Sequence, residues 1–265
     1  FQPPTKAKQI GITMVDLSLE LGAKYGKPPK KIAAIFERTA YGEPVGDGIK
    51  KRAEEKGLDI RLWEGFVQPM TDFTPLVTKL KNSGATILFG VAAIADAILL
   101  TNTMKELGVK MTIFGGGSGY LLPDWVKATG DISENAYSIS MWQPDMKIPG
   151  IAELNDRFVK RTGEAFMPEQ AGENYAMIWL IKEALEKAAS TDPKKVRDAI
   201  AAADLKLPHR AAWLGSGAVA FDSAGLNKYN IMVVVQIQKG KHVTVYPEAV
   251  ASGKPIWPVP GVPTD

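Results

Sequence analysis

The sequence predicts an α/β fold built on a parallel sheet, and three observations carry that prediction. Four short apolar runs recur in the first 120 residues, Ile32–Phe36, Asp59–Phe66, Ala85–Val91 and Met111–Phe114. Each is followed by a stretch with helical spacing of apolar residues. The connections have the length, about a dozen residues or more, that a crossover between parallel strands needs. Such sheets bind ligands at the carboxyl ends of their strands.

The elements follow in order. Residues 7–25 place Ile10, Ile12, Met14, Val15, Leu17, Leu19 and Leu21 at helical spacing, and Pro28-Pro29 ends that helix. Ile32–Phe36 is too short for a helix and has the composition of a strand buried on both faces. A helix over Pro44–Lys56 shows Lys50, Lys51, Arg52, Glu54 and Glu55 to water, and Gly57 closes it. Asp59–Phe66 reads as strand. Asp72 caps a helix to about Lys81 with Phe73, Leu76, Val77 and Leu80 as its apolar stripe. Ala85–Val91, a helix over Ala93–Leu107 and Met111–Phe114 repeat the pattern, ending in Gly115-Gly116-Gly117-Ser118-Gly119.

After Gly130 the rhythm changes. Ala136–Met141 reads as strand, interrupted by Trp142-Gln143-Pro144. Helices follow at about 149–162 and 168–189, the second with Tyr175, Ile178, Trp179, Ile181, Leu185 and Ala188 on its apolar side. Asp192-Pro193 starts another. Ala218–Phe221, Ile231–Gln238 and His242–Tyr246 read as β segments, the last two joined by Lys239-Gly240. The proline-rich end, with Pro255, Pro258, Pro260 and Pro263, reads as an extended strap. This second half holds helices without a parallel sheet to cover them, so the expectation is that their own sheet lies upstream of Phe1.

Composition removes several function classes. There are no cysteines, hence no disulfide, thiolate metal site or cysteine nucleophile. His209 and His242 are the only histidines, and they have no ligand spacing. A net charge of +3 with acids and bases interspersed offers no basic patch for nucleic acid. No run of about 18 apolar residues occurs, and the first residues lack the apolar core of a signal peptide. The glycine run 115–119 lacks the Lys-Ser/Thr of a phosphate-binding loop. No Gly-x-Ser-x-Gly elbow is present. Glu37, Glu43 and Asp72 read as turn and cap residues, so no catalytic residue, metal site or cofactor is expected.

The stretches KIAAIFERTAYGEPVGDG (31–48), TDFTPLVTKLK (71–81), ELGVKMTIFGG (106–116), TDPKKVRDAI (191–200) and GAVAFDSAG (217–225) together resemble the type I periplasmic solute-binding proteins of branched-chain amino acid ABC transporters. That resemblance implies two Rossmann-like lobes, each a parallel sheet flanked by helices, with the first lobe incomplete in this chain. Residues 1–138 would form the main part of the second lobe and 139–228 the helical part of the first. Residues 229–265 would return to the second lobe and end in the strap. It further implies capture of a small solute by hinge closure and delivery to ABC permease subunits, by a monomer that is periplasmic, or else extracytoplasmic and membrane-associated, and whose signal peptide lies outside these residues. A ligand-sensing receptor or regulator core of the same fold is the second reading.

The resemblance also nominates site residues. Tyr41 matches an aromatic that reaches the ligand, with Thr39 and Arg38 beside it and Trp142 after a crossover. Amino-acid-binding members carry a carboxylate for the ligand's ammonium just after the fourth strand, where this chain has Gly117. They carry a polar aromatic after the third, where it has Ala93. A buried ammonium without a counter-charge is costly. The small residues Ala92, Ala93, Gly116 and Gly117, with Ser118 beside them as a further site candidate, therefore predict a roomier site for an amide or aromatic acid as well as an amino acid.

Overall fold

The computed structural model describes residues 1, 5–229 and 231–264. They form two compact units. The sheet unit comprises Lys6–Ile139, Val234–Val245 and Gly253–Asp265. The helical unit comprises Phe1–Thr5, Ser140–Val233 and Tyr246–Ser252.

The sheet unit opens with helix α1 (Ala7–Tyr25). Strands and helices then alternate as β1 (Lys31–Glu37), α2 (Gly42–Glu55), β2 (Asp59–Phe66), α3 (Thr74–Ser83), β3 (Ile87–Val91), α4 (Ile94–Glu106) and β4 (Thr112–Gly115). A short helix α5 (Pro123–Thr129) precedes β5 (Tyr137–Ser140). Strands β8 (Val233–Gln238) and β9 (Lys241–Tyr246) complete a seven-stranded sheet of order β2-β1-β3-β4-β5-β8-β9. The pairs β1–β2, β1–β3, β3–β4 and β4–β5 are all parallel. Each predicted apolar run is thus a strand. The central ones are buried on both faces, with Ile32, Ala33, Ala34 and Ile35 of β1 fully inaccessible. The order 2-1-3-4-5 reverses direction between β1 and β3, and the crevice outside those strand ends is where such sheets take ligands.

The helix after β1 begins two residues earlier than its sequence suggests. The Thr39 hydroxyl accepts from the amides of Tyr41 (3.3 Å) and Gly42 (2.9 Å). The Thr39 carbonyl accepts from the amide of Glu43 at 3.1 Å. Together they satisfy the first-turn donors before Pro44. At the start of α3 the Asp72 carboxylate accepts from the Thr74 amide at 2.8 Å, as its sequence position implies.

Helices α1 and α2 pack with backbones in near contact. A Cβ on Gly48 would stand 2.1 Å from the Lys8 carbonyl oxygen, and one on Gly11 2.0 Å from that of Val45. Around this contact Met14, Val15, Val45 and Ile49 are fully buried. Arg52 of α2 clamps Asp16 of α1 through two hydrogen bonds of 2.7 and 2.9 Å. On the other side of the sheet, Val77, Leu80, Ala97, Leu100, Met104 and Trp125 join Ala33, Ile35 and Leu88 in one core.

The helical unit holds α6 (Ile151–Thr162), α7 (Glu169–Ala188), α8 (Pro193–Ala201) and an antiparallel pair, β6 (Asp204–Lys206) with β7 (Ala218–Ala220). Ala176, Leu180, Ala203, Leu214, Val219 and Phe221 form its core. Asp192 caps α8 by accepting from the amides of Lys194 and Lys195, both at 3.0 Å. The buried stripe of α7 is Gly172, Ala176, Leu180 and Ala184. Ile178, Ile181 and Leu185, on the apolar side that the sequence leaves without a sheet to cover it, stand exposed. No helix among the described residues is long and apolar enough to cross a membrane.

Candidate functional site

The candidate site is the crevice at the carboxyl ends of β1, β3 and β4. Three loops leave the sheet there: Arg38–Tyr41 after β1, Ala92-Ala93 after β3, and Gly116–Gly119 after β4. Glu37, at the last position of β1 and only 8% exposed, ties the first two together. One carboxylate oxygen accepts from the Ala93 amide at 2.9 Å and the other from the Thr39 hydroxyl at 3.1 Å. A buried carboxylate with both oxygens engaged is a strut, as the reading of Glu37 as a turn residue implies. Its extent was not legible, because the Ala93 amide lies 56 residues along the chain. The available signal was a lone acid closing a run of buried apolar residues.

The strut sets the roles of its neighbours. Thr39 commits its hydroxyl proton to Glu37 and its oxygen to the helix start, so it shapes the turn. Tyr41, carried at the end of that turn, is 36% exposed. Its ring edge comes within 3.7 Å of where a Cβ on Gly117 would stand, and the Ala92 carbonyl oxygen within 3.6 Å. Tyr41, Ala92-Ala93 and Gly117 are therefore brought together, and Ala93 is exposed beside them. Gly117 has φ of +142°, a conformation L-residues avoid. An aspartate or glutamate at that point would be strained by the backbone, although the space around it is ordinary.

Three predicted residues stand apart from this group. Arg38 lies over Gly65 of β2, its Nε 2.8 Å from a Cβ built there, which directs it to the edge of the sheet. Gly116 does not open room for a ligand: the Met14 sulfur would lie 2.3 Å from its Cβ, so α1 fills that space. Trp142 belongs to the helical unit and is fully buried, its indole lying against Gly172 of α7. Ser118 opens the short 3-10 turn Ser118–Tyr120, and its side chain lies outside the described residues.

Tyr120 was missed. Its ring packs under Gly90 and Gly115, where any Cβ would collide with it, and its hydroxyl is buried with no partner among the described residues. Burial, with the charges of Glu37 and Asp96 nearby, holds the phenol well above its ordinary range, so it stays neutral. The signal was a tyrosine facing glycines at matched positions on adjacent strands.

The helical unit carries a second polar cluster. The Ser140 hydroxyl and the Met141 amide both donate to Glu169, at 2.9 and 2.6 Å. Burial raises the Glu169 carboxyl above its usual range. Burial, with Glu169 one turn away, pushes that of Glu173 up to about 8. Among the described residues no group of three or more His, Cys, Asp or Glu side chains could hold a metal ion. His209 accepts from the Ala211 amide at 3.1 Å and serves a local turn.

The family model for periplasmic binding proteins matches residues 14–241. The chain is 32% identical over 242 residues to Leu/Ile/Val-binding protein homolog 7 of Brucella suis biovar 1 (strain 1330), covering 89% of this chain and 60% of that protein. It is 28% identical over 262 residues to homolog 8 of Brucella abortus (strain 2308), covering 96% and 64%. The chain thus spans about three fifths of the length of the curated relatives it matches. Among solved structures, a putative branched-chain amino acid ABC transporter protein of Silicibacter pomeroyi superposes with a TM-score of 0.80 at 17% identity, covering 96% of this chain and 68% of that one. A leucine-binding protein LivK of Thermotoga maritima MSB8 gives 0.74 at 16%, covering 91% and 65%. A solute-binding protein of an R. palustris ABC transporter, in complex with benzoate, gives 0.73 at 17%, covering 94% and 64%. These structures share the fold. The α/β order, the switch point between β1 and β3 and the match over most of the chain agree: this chain belongs to the periplasmic binding protein family, among the homologues of the Leu/Ile/Val-binding proteins.

Proposed function

We propose that the protein is the extracytoplasmic solute-binding component of an ABC importer, and that its solute is a small organic acid or amide, aromatic members included, rather than a branched-chain amino acid. Gly117 carries this reading. An ammonium needs a carboxylate partner when it leaves water. At the end of β4 a glycine occupies the place, in a backbone conformation that an acidic residue avoids. The carboxylate that closes β1, Glu37, has both oxygens engaged by the protein itself. What the crevice offers instead is an aromatic wall, Tyr41, with small residues opposite. Such a wall suits a flat apolar body, and the phenol adds one polar contact. The benzoate complex of the R. palustris neighbour supports an aromatic acid as the first candidate. Binding is the whole of the proposed activity, with no bond made or broken, and release to permease subunits follows.

Isothermal titration of the intact protein with benzoate, benzamide and leucine tests this. Binding of an aromatic acid or amide at about micromolar Kd, weakened about tenfold or more in Tyr41→Ala, is expected. Tight binding of leucine with none of the aromatic ligands would overturn it.

A further inference from the structure

The chain passes from the sheet unit to the helical unit between Ile139 and Ser140. The first residues after that passage are held from the start of α7. One oxygen of Glu169 accepts from the Met141 amide at 2.6 Å and lies 2.9 Å from the Ser140 hydroxyl. That hydroxyl has one proton and a second acceptor within reach, the Trp142 carbonyl at 2.7 Å. It also accepts from the Gln143 side-chain amide at 3.1 Å. A hydrogen bond to a charged acceptor is about twice as strong as a neutral one. A charged Glu169 therefore draws the Ser140 proton to itself, and a neutral one leaves it to the Trp142 carbonyl.

Glu173 follows one turn along α7, where side chains four residues apart are neighbours. Its Oε1 is buried, and nothing donates to it among the described residues. From the crossover the two carboxyls face Ser140 and Met141, and from α7 the charge acting on Glu173 is that of Glu169. No lysine, arginine or histidine among the described residues pairs with either. Two negative charges this close, buried and without a cation, cannot both be sustained. The pair therefore carries one charge and one proton. The proton belongs to the two carboxyls together, with the larger hold on it at Glu173, which burial and the Glu169 charge push up to about 8.

We propose that Glu169 and Glu173 form a proton-operated latch on this crossover: one proton held between the two carboxyls keeps Ser140 and Met141 in place, and its loss to water frees them. In the released state both carboxyls reach water and titrate in the ordinary range. The latched state then binds the extra proton between about 4.5 and 8. Release becomes easier as pH rises through that interval, about tenfold per pH unit for one proton, and levels off above it. Acid locks the segment by which the chain enters the helical unit, and neutral to mildly alkaline conditions loosen it. The latch does not depend on which solute the protein carries.

Hydrogen exchange of the Met141 amide, followed by NMR in the intact protein from about pH 5.5 to 7.5, reads the latch. After correction for base catalysis, wild-type exchange should quicken about tenfold or more per pH unit. In Glu173→Gln the side-chain amide donates to Glu169 as the acid does but cannot ionise. Its corrected slope should be smaller by the share of one proton, about tenfold per pH unit. Glu173→Leu has no donor, and its Met141 amide should exchange about tenfold faster than that of Glu173→Gln, the share of one hydrogen bond to a charged acceptor. The core amides of Leu180 and Val219 should exchange more slowly than Met141 throughout, which marks the release as local. A slope unchanged in Glu173→Gln, equal exchange in Glu173→Gln and Glu173→Leu, or Met141 exchanging in step with Leu180 and Val219 would each overturn the proposal.

Discussion

Replacing Gly48 by alanine sets two physical effects against each other, and the structure decides the sign. Alanine is the better helix former by about 1 kcal/mol. By propensity alone, Gly48→Ala in the interior of α2 stabilises the protein. The packing says otherwise. The new Cβ would stand 2.1 Å from the Lys8 carbonyl oxygen, against 3.4 Å for the closest ordinary contact. The atom struck is backbone on a neighbouring helix, so no side chain can swing away. To relieve the clash the two helices must part by about 1 Å, and a gap of that size forfeits a quarter to a half of each dispersion contact across it. The contacts at stake include Met14, Val15, Val45 and Ile49, all fully buried. Overpacking of this kind costs about 1–3 kcal/mol, and a rigid backbone contact belongs at the upper end. Net destabilisation of about 2 kcal/mol is expected, read as a lower urea midpoint by circular dichroism at unchanged slope. Gly11→Ala strikes the same seam from the other side, so the double variant should lose less than the two singles summed. A midpoint that rises in Gly48→Ala would refute the close approach of α1 and α2. Because α2 starts directly after Tyr41, solute affinity should fall in the same variant.

Removing the strut by Glu37→Ala leaves the Ala93 amide and the Thr39 hydroxyl without their acceptor. A loss of about 3 kcal/mol is expected in chemical denaturation, with Glu37→Gln losing less. In the helical unit Glu173 holds its proton up to about pH 8 when folded, against 4.5 for the ordinary carboxyl. The folded state then binds more protons than the unfolded one between those values. Its stability is greatest below the lower value and falls as pH rises towards the higher, by at most about 1.4 kcal/mol per pH unit. Urea midpoints measured across that range should decline in the wild type and be flatter in Glu173→Gln. Asp192→Ala removes the acceptor for two first-turn amides of α8 and should lower stability by about 1 kcal/mol, with Asp192→Asn restoring most of it.

What could be read from residues alone follows burial. Strands β1, β3 and β4 were legible because parallel strands covered on both faces become unbroken apolar runs, while β2, half-buried at the sheet edge, was marked by its place in the alternation, and Gly57 and Gly108 marked the helix ends between them. Strand β6 was not, since Asp204–Lys206 is short, polar and largely exposed. In α7 the apolar side was legible, but not the stripe that packs within the unit. Gly172, Ala176, Leu180 and Ala184 pack against its neighbours, and small residues carry little apolar signal beside Ile178, Ile181 and Leu185. The crevice divides the same way. Tyr41, after β1, and Gly117, after β4, meet across the end of β3, which lies between them. Gly116 gives its space to Met14, a contact spanning about a hundred residues, which no local pattern announces.

The Glu37 strut has a consequence for how a new specificity could arise. It ties the loops after β1 and β3 together through both of its carboxylate oxygens. On the proposed reading, the wall of the crevice is thus ordered before any solute arrives, and binding need not bear the entropy of fixing it. Residues that face outward, at 41, 93 and 117, can then change one at a time while the spacing of the strand ends stays as it is. Duplicated copies of such a gene could diverge to different solutes through a few surface exchanges, with the scaffold inherited intact.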